Sequence, residues 1–248
     1  MEQQQLDAMF SGVIGQDYEM LKRICPLAAE MSRLVGLEVG KYRSEHASEK
    51  LNIIELGGGT GITTLNILLA GDNLKITSVD SEPTMQDQAR QNLKRWSDEG
   101  RLVFSGEDAL SALNKTESNS ADIMATAYTL HNFLNDYRTG VIQEIYRVLK
   151  PGGLFVNGDR YALDDIDAHT RQNQLDVSHW FSVLTKMQRL DLLEHWIVHL
   201  MSDESENHVM RETPALKKLR EAGFTDIKLT HRQEVNALVT AVKPKKGC

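Results

Sequence analysis

Apolar positions along the chain fall into three patterns. Up to residue 48 they recur at three-and-four spacing, through Tyr18, Leu21, Ile24, Leu27 and Ala28 to Met31, Leu34 and Val35. That stripe predicts helix, and Pro26 inside it marks a kink or a helix start. From Leu51 the pattern alternates. Leu51, Ile53, Ile54 and Leu56 form a short run ended by glycine, which reads as a buried strand. Ile62, Leu65, Leu68 and Leu69 follow at helical spacing. Strands over Leu74–Asp80, Leu102–Phe104, Ala121–Thr126 and Leu154–Asn157 are then separated by helices, one through Met85, Ala89 and Leu93, another over 138–149. Such alternation predicts an α/β fold, a parallel sheet with helices on both faces. Residues 158–212 break the alternation, with helical periodicity in 166–202. A helix over Pro214–Ala222, stopped by Gly223, precedes two last strands, Phe224–Leu229 and Ala237–Val242.

The turn after the first strand reads Glu55-Leu56-Gly57-Gly58-Gly59-Thr60-Gly61. Glycines in a strand-to-helix turn permit positive φ and let a ligand approach the backbone. Amide N–H groups at the helix start can hold a carboxylate. In a doubly wound sheet the ligand lies at the carboxyl ends of the strands. A dinucleotide fingerprint needs its last glycine at position 62, which is Ile62, and the Lys-Ser/Thr pair of a phosphate-binding loop is missing. The second strand ends at Asp80, 19 residues past Gly61 (80 − 61), where an acid can bind both hydroxyls of a ribose.

With glycines at 57, 59 and 61, the turn resembles motif I of the class I S-adenosylmethionine (SAM) methyltransferases, usually E/D-x-G-x-G-x-G. The resemblance extends to Ser81-Glu82-Pro83-Thr84-Met85, to Gly106-Glu107-Asp108-Ala109 and to Leu149-Lys150-Pro151-Gly152-Gly153, covering roughly 49–157. It implies a Rossmann-like, seven-stranded sheet with an antiparallel final pair, SAM as cofactor, and methyl transfer. By the same resemblance Gly57, Gly59 and Gly61 face the methionine part of SAM and Glu55 suits its cationic part. Asp80 takes the ribose, Met85 one adenine face, and Asp108 the adenine N6 amino group. Residues 1–48 are then an N-terminal helical lid, with Met9, Phe10 and Tyr18 as candidate contacts. Residues 49–157 and 213–248 are the SAM-binding core, and 158–212 a helical cap over the substrate.

The layout is also similar to that of the carboxy-SAM synthases, which use SAM and prephenate. The shared features are the helical N-terminus, the Tyr128–Phe133 segment, the Asp164-Asp165 pair and Ala222-Gly223-Phe224. The glycine turn departs from theirs, and Arg189, nearest in place to their cap arginine, has different neighbours. A small-molecule methyltransferase is the closer reading. A carboxy-SAM synthase and a SAM-binding protein without chemistry are the alternatives.

Composition narrows the partners. The 248 residues suffice for one large domain, or one domain with a cap. A net charge of -7 argues against nucleic acid. No apolar run approaches the roughly 18 residues of a membrane span. The start MEQQQLDAMF lacks a signal layout, and the cysteines are Cys25 and Cys248, which points to reduced thiols and the cytoplasm. A monomer or a homodimer is expected.

Methyl transfer from a sulfonium is an in-line displacement that mainly needs positioning, plus a base if the nucleophile carries a proton. His131, just past the fourth strand, is the candidate base or substrate contact, and Tyr128 stands beside it. Asp159, Arg160 and Tyr161 follow the fifth strand, and Arg160 could pair with a substrate carboxylate or with Asp164. Glu194, His195 and His199 form a ligand-like cluster, but packing with Trp196 explains them better, and no metal is expected.

Overall fold

The computed structural model describes residues 23–46 and 49–245. Tyr18, Met9 and Phe10 lie outside the described residues. Among the described residues the first long helix, α1 (Pro26–Glu45), begins at the proline, so Pro26 is a start and not a kink. The strands are β1 (Leu51–Leu56), β2 (Leu74–Val79), β3 (Leu102–Ser105), β4 (Ala121–Ala127), β5 (Leu149–Arg160), β6 (Thr225–Gln233) and β7 (Asn236–Val242). They form one seven-stranded sheet in the order 3-2-1-4-5-7-6. The first five are parallel, and β7 runs antiparallel to both β5 and β6. Between them lie α2 (Ile62–Leu69), α3 (Pro83–Asn92), α4 (Lys94–Asp98), α5 (Ala109–Lys115), α6 (Asn135–Val148), α7 (Ile166–Lys186), α8 (Leu190–Asp203) and α9 (Glu212–Ala222). This is the expected Rossmann-like α/β architecture.

Side chains alternate across a strand, so neighbouring residues enter opposite cores. Ile53 pairs in register with Ile76 and Ile123 and packs with Met31, Val35 and Val39 of α1. Ile54, Met124 and Phe155 face the other side and pack with Val141 and Ile145 of α6. Each fully buried Leu or Ile contributes about 1.5–3 kcal/mol of hydrophobic free energy. Burial on both faces explains why β1 and β4 read as nearly continuous apolar runs.

Two expectations on boundaries need correction. The fifth strand begins at Leu149, inside the Leu-Lys-Pro-Gly-Gly turn. Leu149 pairs with Ala121, the register then jumps, and pairing resumes at Leu154 with Ile123. The strand also runs on to Arg160, because β7 offers it a partner as far as Asn236. Residues 158–160 therefore belong to the sheet, and Asp159 and Arg160 end a strand rather than follow it. The periodic stretch 166–202 is two helices, α7 and α8. They share a small core of their own, Trp180, Leu184, Leu193 and Leu200, joined by Ile24 from before α1.

Candidate active site

The strand order reverses between β1 and β4, and their carboxyl ends open a crevice there. A cavity of about 1170 Å³ occupies it, larger than the roughly 300–1,000 Å³ of most small-ligand pockets. Gly57, Gly59, Met85, Tyr128, His131 and Arg160 all lie on its wall. Gly57 has φ 71°, and a Cβ there would collide with the Thr129 side chain. Gly59 has φ 52°, and a Cβ there would meet nothing within 4 Å. Only glycine takes both positions without strain, and the space beside Gly59 is open.

The remaining expected cofactor residues, Glu55, Gly61, Asp80 and Asp108, do not line the cavity. Gly61 caps α2 with φ 97°. Asp80 spans the turn: one carboxylate oxygen accepts from the Gly59 amide at 2.7 Å and the other from the Glu82 amide at 2.8 Å. Each oxygen keeps a further lone pair. Asp108 caps α5, accepting from the Ser111 amide at 3.0 Å and the Tyr137 hydroxyl at 2.7 Å. Those hydrogen bonds lower its pKa to about 2.

Glu55 is fully buried behind the turn. One oxygen accepts from Thr64 Oγ1 at 2.5 Å, and the other has no partner among the described residues. Burial raises its pKa from 4.5 to about 7. The folded state thus holds this proton where the unfolded chain has lost it. The resulting stability is present below pH 4.5 and is lost as pH rises through 7, about 3 kcal/mol in all. Glu55→Gln should remove that dependence. In thermal unfolding from pH 4 to pH 8, the variant is expected to gain on the parent as pH rises; a constant difference between the two would refute it.

At the other end of the cavity, His131 sits on a short 3-10 turn, Leu130–Asn132, and is buried. Its Nδ1 lies 2.5 Å from Asp159 Oδ1. Asp159 is fully buried and also accepts from the amides of Leu130, at 3.0 Å, and Arg160, at 2.8 Å. A carboxylate at Nδ1 fixes the tautomer with the proton on that nitrogen, which leaves the Nε2 lone pair free for other chemistry. Nε2 faces Asp203 at 3.8 Å, and His199 Nε2 lies 3.5 Å from the same carboxylate oxygen. Burial lowers the pKa of His199.

Tyr128 holds φ 49°, unusual for a bulky residue, and its hydroxyl donates to Asn236 Oδ1. Burial pushes its pKa well above 10, so it stays protonated. Arg160 does not pair with Asp164, which instead binds Thr213. Its guanidinium lies 3.6 Å from both Asp176 and Glu204. Glu194 and His195 do not converge with His199 into a ligand set; the His195 ring only stacks over His199 at 6.3 Å. Asp176, Asp203, Glu204 and Asn236 escape a sequence reading, because α7, α8 and β7 bring them in from far along the chain. Among the described residues no helix is long and apolar enough to cross a membrane.

Comparison with known proteins bears on the fold and the family. Residues 53–153 match a family model described as a methyltransferase domain. The chain is 23% identical to the carboxy-S-adenosyl-L-methionine synthase of Shewanella amazonensis, over 96% of this chain and 92% of that protein. It is 33% identical to the demethylmenaquinone methyltransferase of Leptospira interrogans, over 45% of this chain and 44% of that one. Its fold is similar to that of an O-methyltransferase family protein from Burkholderia thailandensis, with a TM-score of 0.63 and 18% identity. That alignment covers 97% of this chain, which spans 60% of the length of the other.

Proposed function

We propose that this chain, a class I SAM-dependent methyltransferase, methylates a small, largely apolar molecule through a hydroxyl. One observation carries the reading. A single cavity joins the open glycine turn to His131, whose Nδ1 a buried Asp159 already occupies. The residues present fit SAM. The open side of Gly59 gives the methionine part room, Asp80 keeps lone pairs for the ribose, and Met85 offers a thioether face to the adenine. Gly57, Gly59, Gly61, Asp80, Met85 and Asp108 are the proposed cofactor residues, with Glu55 behind the turn. When bound, SAM supplies an electrophilic methyl on a sulfonium.

His131 Nε2 takes the proton of the acceptor hydroxyl, and Asp159 stabilises the imidazolium that results. Tyr128 positions the acceptor through its hydroxyl and does not act as a base. Trp180 and Trp196 line the acceptor end, which suits an apolar, planar partner. The α7–α8 hairpin is the substrate cap of this reading. A cytoplasmic monomer or homodimer without nucleic acid completes it.

The synthase alternative is weaker on geometry. Arg189 is paired with Asp191 and does not line the cavity. Arg160 does, but Asp176 and Glu204 flank it and would repel a substrate carboxylate. The test is incubation with methyl-labelled SAM and a panel of phenols and other small hydroxyl compounds, alongside prephenate. A labelled ether is expected. Carboxy-SAM formed from prephenate, or SAM binding with no product from any acceptor, would overturn the proposal.

A further inference from the structure

The acceptor end of the cavity holds more nitrogen and carboxylate donors than proton transfer needs. His199 and Asp203 are one turn apart on α8 and share a face. His131 comes to them from the far side, after β4. The Asp203 carboxylate is nearly buried, at 8% exposure, yet its imidazole neighbours stand at 3.5 and 3.8 Å, too far for ordinary hydrogen bonds. One donor atom from each of the three residues lies within 4.8 Å of the others. Two ligands about 2.0–2.1 Å from one tetrahedral ion sit roughly 3.3 Å apart. The two histidine–Asp203 distances need to close by only about 0.2–0.5 Å to reach that, and the third pair, within 4.8 Å, by no more than about 1.5 Å.

Two further observations point to a cation. Asp159 holds the other nitrogen of His131, the outer-shell carboxylate that metal-bound imidazoles usually have. The surroundings are also short of positive charge. Asp159, Asp176, Asp203 and Glu204 gather around this end, and among the described residues Arg160 and Arg138 are the guanidinium groups that face them. With the imidazoles neutral, the cluster is two charges negative, which one divalent ion would balance.

We propose that His131 Nε2, His199 Nε2 and the Asp203 carboxylate bind one divalent transition-metal ion of the zinc type, with its remaining coordination positions open to the cavity. Two imidazoles and one carboxylate suit that class of ion, and open positions mark a catalytic rather than a structural site. For what the ion does, the proposal rests on the methyl-transfer reading. An acceptor hydroxyl bound to it loses its proton near neutral pH, as zinc-bound water does, and that proton leaves to solvent through the cavity. The oxygen then holds its electron pair for the methyl carbon. In the loaded protein Nε2 is a ligand; in the metal-free protein it is the base.

The test uses full-length protein stripped with a chelator and then titrated with zinc, and separately with cobalt(II) to follow its visible absorption. Parent, His199→Ala and Asp203→Asn proteins are compared, with circular dichroism as the check of folding and SAM titration on the same samples. One zinc per chain is expected in the parent. Both variants should bind it more than about 100-fold more weakly, beyond the 10–100-fold that loss of an outer partner costs, while SAM affinity stays within about twofold. No stoichiometric metal in the parent, or equal affinity in both variants, would overturn the site. Zinc-free protein, in which Nε2 can act only as the base, is expected to methylate more slowly; the full rate without zinc would overturn the ion's part in the transfer and leave the methyl-transfer reading standing. Zinc binding without any methylated product would support the site and remove that reading instead.

Discussion

His131→Ala is expected to lower kcat by roughly 10²–10⁴-fold, the usual worth of a positioned proton acceptor. The dissociation constant for SAM should stay within about twofold, because the imidazole stands at the acceptor end and not at the glycine turn. The buried Asp159 sets the size of the effect. It fixes which nitrogen carries the proton and stabilises the charged ring, so Asp159→Asn should cost nearly as much as loss of the imidazole. The two changes together should cost little more than either alone, since the pair acts as a unit. Steady-state rates for the two single variants and the double variant check this. A kcat within about threefold of the parent in His131→Ala would show that positioning alone drives the transfer.

Asp80→Ala is expected to weaken SAM binding at least tenfold. Hydrogen bonds to a charged group are worth about 1.5–3 kcal/mol each, and a ribose offers two hydroxyls. The geometry adds a second cost. The same carboxylate ties the Gly59 amide to the start of α3 through Glu82, so its removal also loosens the turn. Asp80→Asn separates the two effects, since it keeps an acceptor oxygen while removing the charge. Calorimetry should place its SAM affinity between those of the parent and Asp80→Ala. Unchanged affinity in the alanine variant would release Asp80 from this role.

The succession of strands along the chain is legible because each buried strand leaves a short apolar run and each turn a glycine or an acid at a fixed distance. Gly57, Gly59 and Asp80 stand out in this way; the two glycines line the cavity, and Asp80 accepts from the Gly59 amide behind them. What periodicity cannot carry is pairing between distant segments. The fifth strand reached Arg160 only because β7 lies against it, and nothing local in 158–160 announces a strand. Spacing points Arg160 to Asp164, four residues on, but folding supplies Asp176 and Glu204 from α7 and the end of α8. Helical spacing groups His199 with Glu194 and His195, because only neighbours along one helix are visible in the sequence. His131, 68 positions away (199 − 131), comes close only after β4 and α8 meet across the cavity. The acceptor end was therefore half legible: its histidine showed, but the carboxylates that decide what the histidine does came from elsewhere in the chain.

The most direct test of SAM at the glycine turn is a SAM titration of the parent and of Gly59→Asn. Asparagine tolerates the positive φ at this position, and its side chain would enter open space rather than a neighbour. The fold should therefore survive, with a melting temperature within about 2–4 °C of the parent, a change of about 1 kcal/mol. The parent is expected to bind one SAM per chain, and the variant to bind it at least tenfold more weakly, because the amide group would fill the space the methionine part needs. A parent that does not bind SAM, or a folded variant that binds it equally well, would contradict the placement of the cofactor in this cavity.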